Sequence, residues 1–140
     1  MTRDEALKLM QERITNINLR KHILAVEAVM KHLARELKQD EEKWGLVGLL
    51  HDLDYEETKD APERHTLVTA ELLQDKVTQE IIDGIKSHIH PVRSKTPEAS
   101  ATAQGQGTSN GASKKERVSL MEHAIYCADP VTGFLVACAL

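Results

Sequence analysis

The sequence predicts an all-α fold, a single bundle of about six helices. Three observations carry that expectation. Apolar residues recur at helical spacing through most of the chain, no stretch shows convincing strand alternation, and Asn or Asp stands just before the longest periodic segments. The 140 residues suffice for one domain with one substantial core, so residues 1–140 are read as a single domain. Hydrophobic residues make up 41% of the chain but aromatics only 3%, so Leu, Ile, Val, Ala and Met must fill that core.

The first helix is expected from about Asp4 to Ile14, with Thr2 or Asp4 near its start. Asn18 is a plausible N-cap for a longer second helix, "LRKHILAVEAVMKHLARELK". Leu19, His22, Val26, Val29, Met30, Leu33 and Leu37 share one side of it, while Lys21, Glu27, Lys31, Arg35 and Lys38 fall mostly on the other. His22 therefore lies inside the apolar stripe. Asp40 caps a third helix, "EEKWGLVGLLHDLDY", in which Gly45 and Gly48 allow another helix to come close. They do not form a phosphate-binding loop.

Pro62 marks a turn before a fourth helix, "ERHTLVTAELLQDK". A fifth, "TQEIIDGIKSHI", is closed by Pro91. Between Ser94 and Ser113 the chain has no large apolar residue and is rich in Ser, Thr, Gly, Ala and Gln, which predicts a mobile loop over 94–113. A sixth helix, "KKERVSLMEHAIYCAD", is expected to be interrupted at Pro130. "VTGFLVACAL" then follows as a further core segment or kinked extension. The chain's stop on that apolar stretch reads as a length shorter than its relatives.

A net charge of -4 argues against a nucleic-acid polymer or a polybasic membrane patch as partner. The acidic N-terminus lacks the apolar region of a signal peptide, and no apolar run approaches the roughly 20 residues of a membrane span. Cys127 and Cys138 fit no metal or disulfide spacing and are expected to be reduced, buried thiols. A cytoplasmic location follows from this reading.

The stretch "WGLVGLLHDLDYE" raises the chemical question, because a strongly apolar helix runs straight into His51 and Asp52. The chain has 7 histidines, and several share this setting. His22 is on an apolar helix face, His65 near a helix start, His88 and His90 at the end of the fifth helix, and Asp129 at the end of the sixth. A bundle can bring such positions to one point. Imidazole and carboxylate together suit borderline or hard divalent metals. Neighbouring helical residues point about 100° apart, so His51 and Asp52 can serve one ion only at a helix end or loosened turn. Asp129 has a second explanation, since Asp before Pro130 also suits a helix N-cap. Asp54 is either a partner for a ligating imidazole or a solvated turn residue. Lys21, Arg64, Lys86 and Arg93 adjoin these candidates in sequence and are either phosphate-neutralising or ordinary surface charges. His32 and His123 read as surface residues.

His22, the pair His51-Asp52 and the downstream Asp129, with "HDLDY" and "ADPVTG" around them, resemble the HD superfamily of metal-dependent phosphohydrolases, in particular a small stand-alone subgroup. The resemblance covers about Asn18 to Leu140. It implies an HD-type bundle in which His22, His51, Asp52 and Asp129 are the core metal ligands. It implies further that His65 and His88 hold a second ion, with His90 the alternative to His88, and that Asp52 is the catalytic, bridging carboxylate.

The expected cofactor is a divalent metal, one or two ions per chain. Manganese or iron is favoured, with zinc, cobalt, nickel or magnesium as alternatives. The expected activity is hydrolysis of a nucleotide or small phosphorylated metabolite by metal-activated water. Alternatives are a di-iron oxygenase on the same ligands and a non-catalytic nucleotide-binding domain.

Overall fold

The computed structural model describes residues 1–89 and 117–139, and every regular element among them is helical. α1 (Arg3–Arg13) begins with a capping box, in which Thr2 Oγ1 accepts from Glu5 N–H while the Glu5 carboxylate accepts from Thr2 N–H. α2 (Ile17–Glu36) is capped by Asn16, whose side chain accepts from the N–H groups of Asn18 and Leu19. The cap is therefore Asn16 and not Asn18, because Asn16 has the extended backbone a cap needs and Asn18 is already helical. α3 (Glu41–Leu50) starts at Asp40 as expected.

A turn over residues 51–54 leads into the one-turn α4 (Tyr55–Thr58) and a 3-10 turn at Pro62–Arg64. α5 (Leu67–Leu73), α6 (Gln79–Ser87) and α7 (Leu120–Ala139) complete the described elements. The single fourth helix expected from "ERHTLVTAELLQDK" is broken in two. His65 is extended and Thr66 has a left-handed φ of 68°, so regular helix begins only at Leu67.

α2 and α3 form the heart of the bundle, with α7 lying against α2 and α6. The core is aliphatic, from Ile23, Val26 and Met30 of α2 through Val47, Leu49 and Leu50 of α3 to Ile85, Met121 and Ile125. Gly48 sets the closeness of α2 and α3, since a Cβ there would stand 2.8 Å from the Glu27 Cα. That approach corrects the reading of Glu27 as a solvent-side residue. It is buried, and its carboxylate is paired with Arg3 at 2.6 Å and Lys31 at 2.8 Å. Leu37, counted on the apolar stripe, is 44% exposed as the C-cap of α2.

Pro130 does not interrupt the last helix; α7 runs through it. The ring lies on an exposed position, and Thr132 Oγ1 donates to the carbonyls of Ala128 and Asp129 in the turn that lacks the proline N–H. The end of α7 is not core. Met121, Ile125, Ala128 and Thr132 form its buried stripe, and no described residue beyond Thr132 is buried. Val131, Phe134 and Leu135 are exposed, as are both free thiols, Cys127 and Cys138, which lie off the stripe or past its end. No described helix is long and apolar enough to cross a membrane. The expected loop at 94–113, together with His90, Pro91 and Arg93, lies outside the described residues.

Candidate metal centre

Five elements deliver one polar cluster into this aliphatic core. His22 comes from the second turn of α2, and Asp129 from the middle of α7. Asp129 therefore caps nothing, which removes its rival explanation. α3 ends its regular run at Leu50, and His51 and Asp52 stand in the turn that follows. The helix-end condition for their acting together is met: His51 Nε2 lies 3.4 Å from Asp52 Oδ2. His65 follows the 3-10 turn, and His88 caps the C-terminus of α6.

The two oxygens of Asp52 face different partners. Oδ2 lies 3.4 Å from His51 Nε2 and 3.9 Å from His22 Nε2. Asp129 Oδ1 joins that side, 3.0 Å from His22 Nε2 and 3.8 Å from His51 Nε2. Oδ1 of Asp52 lies 3.4 Å from both His65 Nε2 and His88 Nε2, which are 3.1 Å from each other. Ligand atoms of His22, His51 and Asp129 lie within 4.8 Å of one another, and so do those of His51, Asp52 and His88.

The outer ring nitrogens explain why Nε2 faces inward. His51 Nδ1–H donates to the Gly48 carbonyl at 2.8 Å, and His88 Nδ1–H to the Ile85 carbonyl at 2.6 Å. Each bond reaches one helical turn back along the residue's own helix. His65 Nδ1 instead meets Asp54 Oδ1 at 2.7 Å, while Asp54 Oδ2 accepts from Thr69 N–H at 2.8 Å. Asp54 is buried, so it is the imidazole's partner and not a solvated turn residue.

Burial disfavours charge here, yet the groups hold it jointly. It opposes protonation of His51, but the charge of Asp52 and the nearby carboxylate oxygens of Asp129 and Asp52, 3.8 and 3.4 Å from Nε2, outweigh it and push His51 up to about 10. Burial likewise opposes the His65 cation, and bonds to Asp52 and Asp54 still raise it to about 9. Asp52 and Asp129 are held well below the usual carboxylate range against the same burial, chiefly by His51 for the former and His22 for the latter. The pocket's carboxylates thus demand positive charge at its centre.

A divalent ion meets that demand, and the donors fit it. The buried His51 Nε2 has no hydrogen-bond partner, although its Nδ1 is satisfied. Two imidazole nitrogens held at about 2.1 Å from one ion stand roughly 3 Å apart when near a right angle, close to the 3.1 Å between His65 and His88. His51, His88 and Asp52 form the floor, and Asp129, with 23% of its side chain exposed, opens at the rim.

Sequence reasoning missed one supporting residue. Arg117 donates to the carbonyls of Ser87 and Ile89, at 2.9 and 3.1 Å, and stacks 3.4 Å over the Tyr126 ring. It thereby ties α7 to the end of α6 that carries His88. An arginine just before an apolar helix was its one signal. Lys21, Arg64 and Lys86 are exposed, and His32 and His123 are surface residues as expected.

An all-helical bundle with imidazoles and carboxylates gathered at the ends and inner faces of its helices is an arrangement that could hold a divalent metal. The family model for the HD domain matches residues 19–130, and the chain belongs to that family. No curated protein and no solved structure matches it. HD domains are generally metal-dependent hydrolases, and the His/Asp cluster agrees with divalent-metal binding.

Proposed function

We propose that this chain is a metal-dependent phosphohydrolase acting on a nucleotide or other small phosphorylated metabolite. The division of Asp52 carries the reading, with Oδ2 towards His51 and His22 and Oδ1 towards His65 and His88. His22, His51, Asp52 and Asp129 would hold one ion, and Asp52, His65 and His88 a second. Manganese or iron is favoured by a donor set without sulfur. When bound, divalent ions supply Lewis acidity, which polarises a phosphoryl oxygen and acidifies water.

The chain's own residues define where that chemistry happens. Backbone carbonyls hold His51 and His88 with Nε2 inward, so no reorientation is needed when substrate arrives. His51, Asp52 and His88 are themselves buried, which keeps bulk water from the floor of the site. Asp129 stands at the open side and can accept a hydrogen bond from an entering water. Lys21, Arg64 and Lys86 are exposed and adjoin the proposed ligands in sequence, and would be the cations to test against a substrate phosphate.

The test is metal content per chain, beside the Asp52→Ala variant, followed by phosphate release from nucleotides and from mono- and bis-nitrophenyl phosphate under manganese. About two ions per chain and turnover, both lost in the variant, support the reading. A folded protein that takes up no manganese sinks it. Oxygen consumption by an iron-loaded form that hydrolyses nothing would replace it with oxidative chemistry on the same ligands.

A further inference from the structure

The imidazoles of the cluster are not held alike. His51 and His88 each donate Nδ1–H to a neutral carbonyl of their own helix, and the buried Nδ1 of His22 has no hydrogen-bond partner. His65 alone among the four has a carboxylate on its outer nitrogen, Nδ1, and that carboxylate is remote in sequence and buried. His65 also lacks a helix to orient it, since it sits between a 3-10 turn and the left-handed Thr66. A β-branched residue at φ 68° is costly, and it turns the chain so that the His65 ring and the Thr69 N–H reach opposite oxygens of Asp54.

We propose that Asp54 is a positioning residue for the His65 side of the centre. Its Oδ1 accepts the His65 Nδ1 proton, which leaves Nε2 as the lone-pair donor facing Asp52 Oδ1 and His88. A carboxylate acceptor also makes that ring a stronger donor than a carbonyl would. The two ion positions therefore differ by construction. The His22, His51 and Asp129 position owes nothing to Asp54, whereas the His65 and His88 position depends on it. This rests on the two-ion reading proposed above and adds the residue that decides whether the second ion stays.

Asp54→Asn is the informative substitution because it keeps size and shape. Its amide oxygen can still accept from Thr69 N–H, but its NH2 then faces His65 Nδ1 and favours the tautomer with the proton on Nε2, which cannot ligate. The experiment is equilibrium dialysis with manganese and with zinc for wild type, Asp54→Asn, His65→Ala and the double variant. Thermal melting of the metal-free proteins runs beside it. Two ions in wild type are expected, with the second bound about 10–100-fold more weakly in Asp54→Asn and the first unchanged. The double variant should lose no more than His65→Ala.

Two full-affinity ions in Asp54→Asn would overturn the proposal while leaving the two-ion reading intact. Equal loss of both ions, with a lowered metal-free melting point, would make Asp54 a purely structural residue. A wild type that binds one ion, unaffected by His65→Ala, would remove the two-ion reading and the proposal with it. If Asp54→Asn does not fold, ring nitrogen resonances of the zinc-loaded wild type decide the matter. Metal at Nε2 with the proton retained on Nδ1 of His65 is expected, and metal at Nδ1 overturns the proposal.

Discussion

Nε2 of His22 lies 3.0 Å from Oδ1 of Asp129, joining the start of α2 to the middle of α7. Asp129→Ala removes an acceptor that His51 also approaches, at 3.8 Å. A ligand loss should exceed the about 100-fold affinity cost of losing an outer partner. Titration of manganese into the variant, followed by calorimetry, checks this. Unchanged binding would exclude Asp129 as a ligand.

Metal should stabilise the fold, because the ligands come together only in the native chain. At free manganese about 100 times its dissociation constant, each site adds about 2.7 kcal/mol. Chelator should lower the melting temperature accordingly, and Asp52→Ala should melt at one temperature with or without metal. The comparison needs only thermal scans at two metal concentrations.

Gly48→Ala should destabilise the chain by about 1–3 kcal/mol. The added methyl would meet the Glu27 backbone, 2.8 Å from Cα and 2.9 Å from N, which has no rotamer with which to yield. Since Gly48 also accepts from His51, metal affinity should fall with stability. Urea unfolding measures the first effect and manganese titration the second.

Glu27 gives the fold an acid-sensitive contact. Burial raises its pKa, but hydrogen bonds from Arg3 and Lys31 overcome this and leave it below the ordinary 4.5. A depressed carboxylate contributes stability that is present above its unfolded pKa and lost as pH falls through the folded one. Wild type should therefore lose stability against Glu27→Gln as pH drops below about 4.5. Denaturant midpoints between neutral pH and pH about 3 should converge if this holds.

Both thiols should react in the folded protein. Cys127 and Cys138 are exposed and free, so a thiol reagent should label both without denaturant. Protection of either until urea is added would contradict their exposure.

The helices were legible where local chemistry decides them. Asp40 begins α3 because its side chain accepts from Lys43 N–H, and His22 faces inward because the spacing of Leu19, Val26 and Met30 turns it there. The His-Asp pair after "GLVGLL" was legible for a related reason, since burying such groups costs too much without partners. The break at His65 and Thr66 was hidden, because its stabilising partner, Asp54, lies on the far side of a turn. Glu27 looked solvent-facing because the pairing with Arg3 depends on α1, packed on α3, bringing its start to α2.

Sequence by itself determined the all-helical class, the candidate residues for a metal site and the apolar surface that carries them inward, all matters of spacing and side-chain chemistry. Tertiary structure alone decided that Asp52 divides its oxygens between two sets of imidazoles, that Asp129 sits inside a helix, and that Asp54 holds His65. Those outcomes depend on angles and distances between elements remote in the chain. They become defined only when α2, α3, α6 and α7 close on one core.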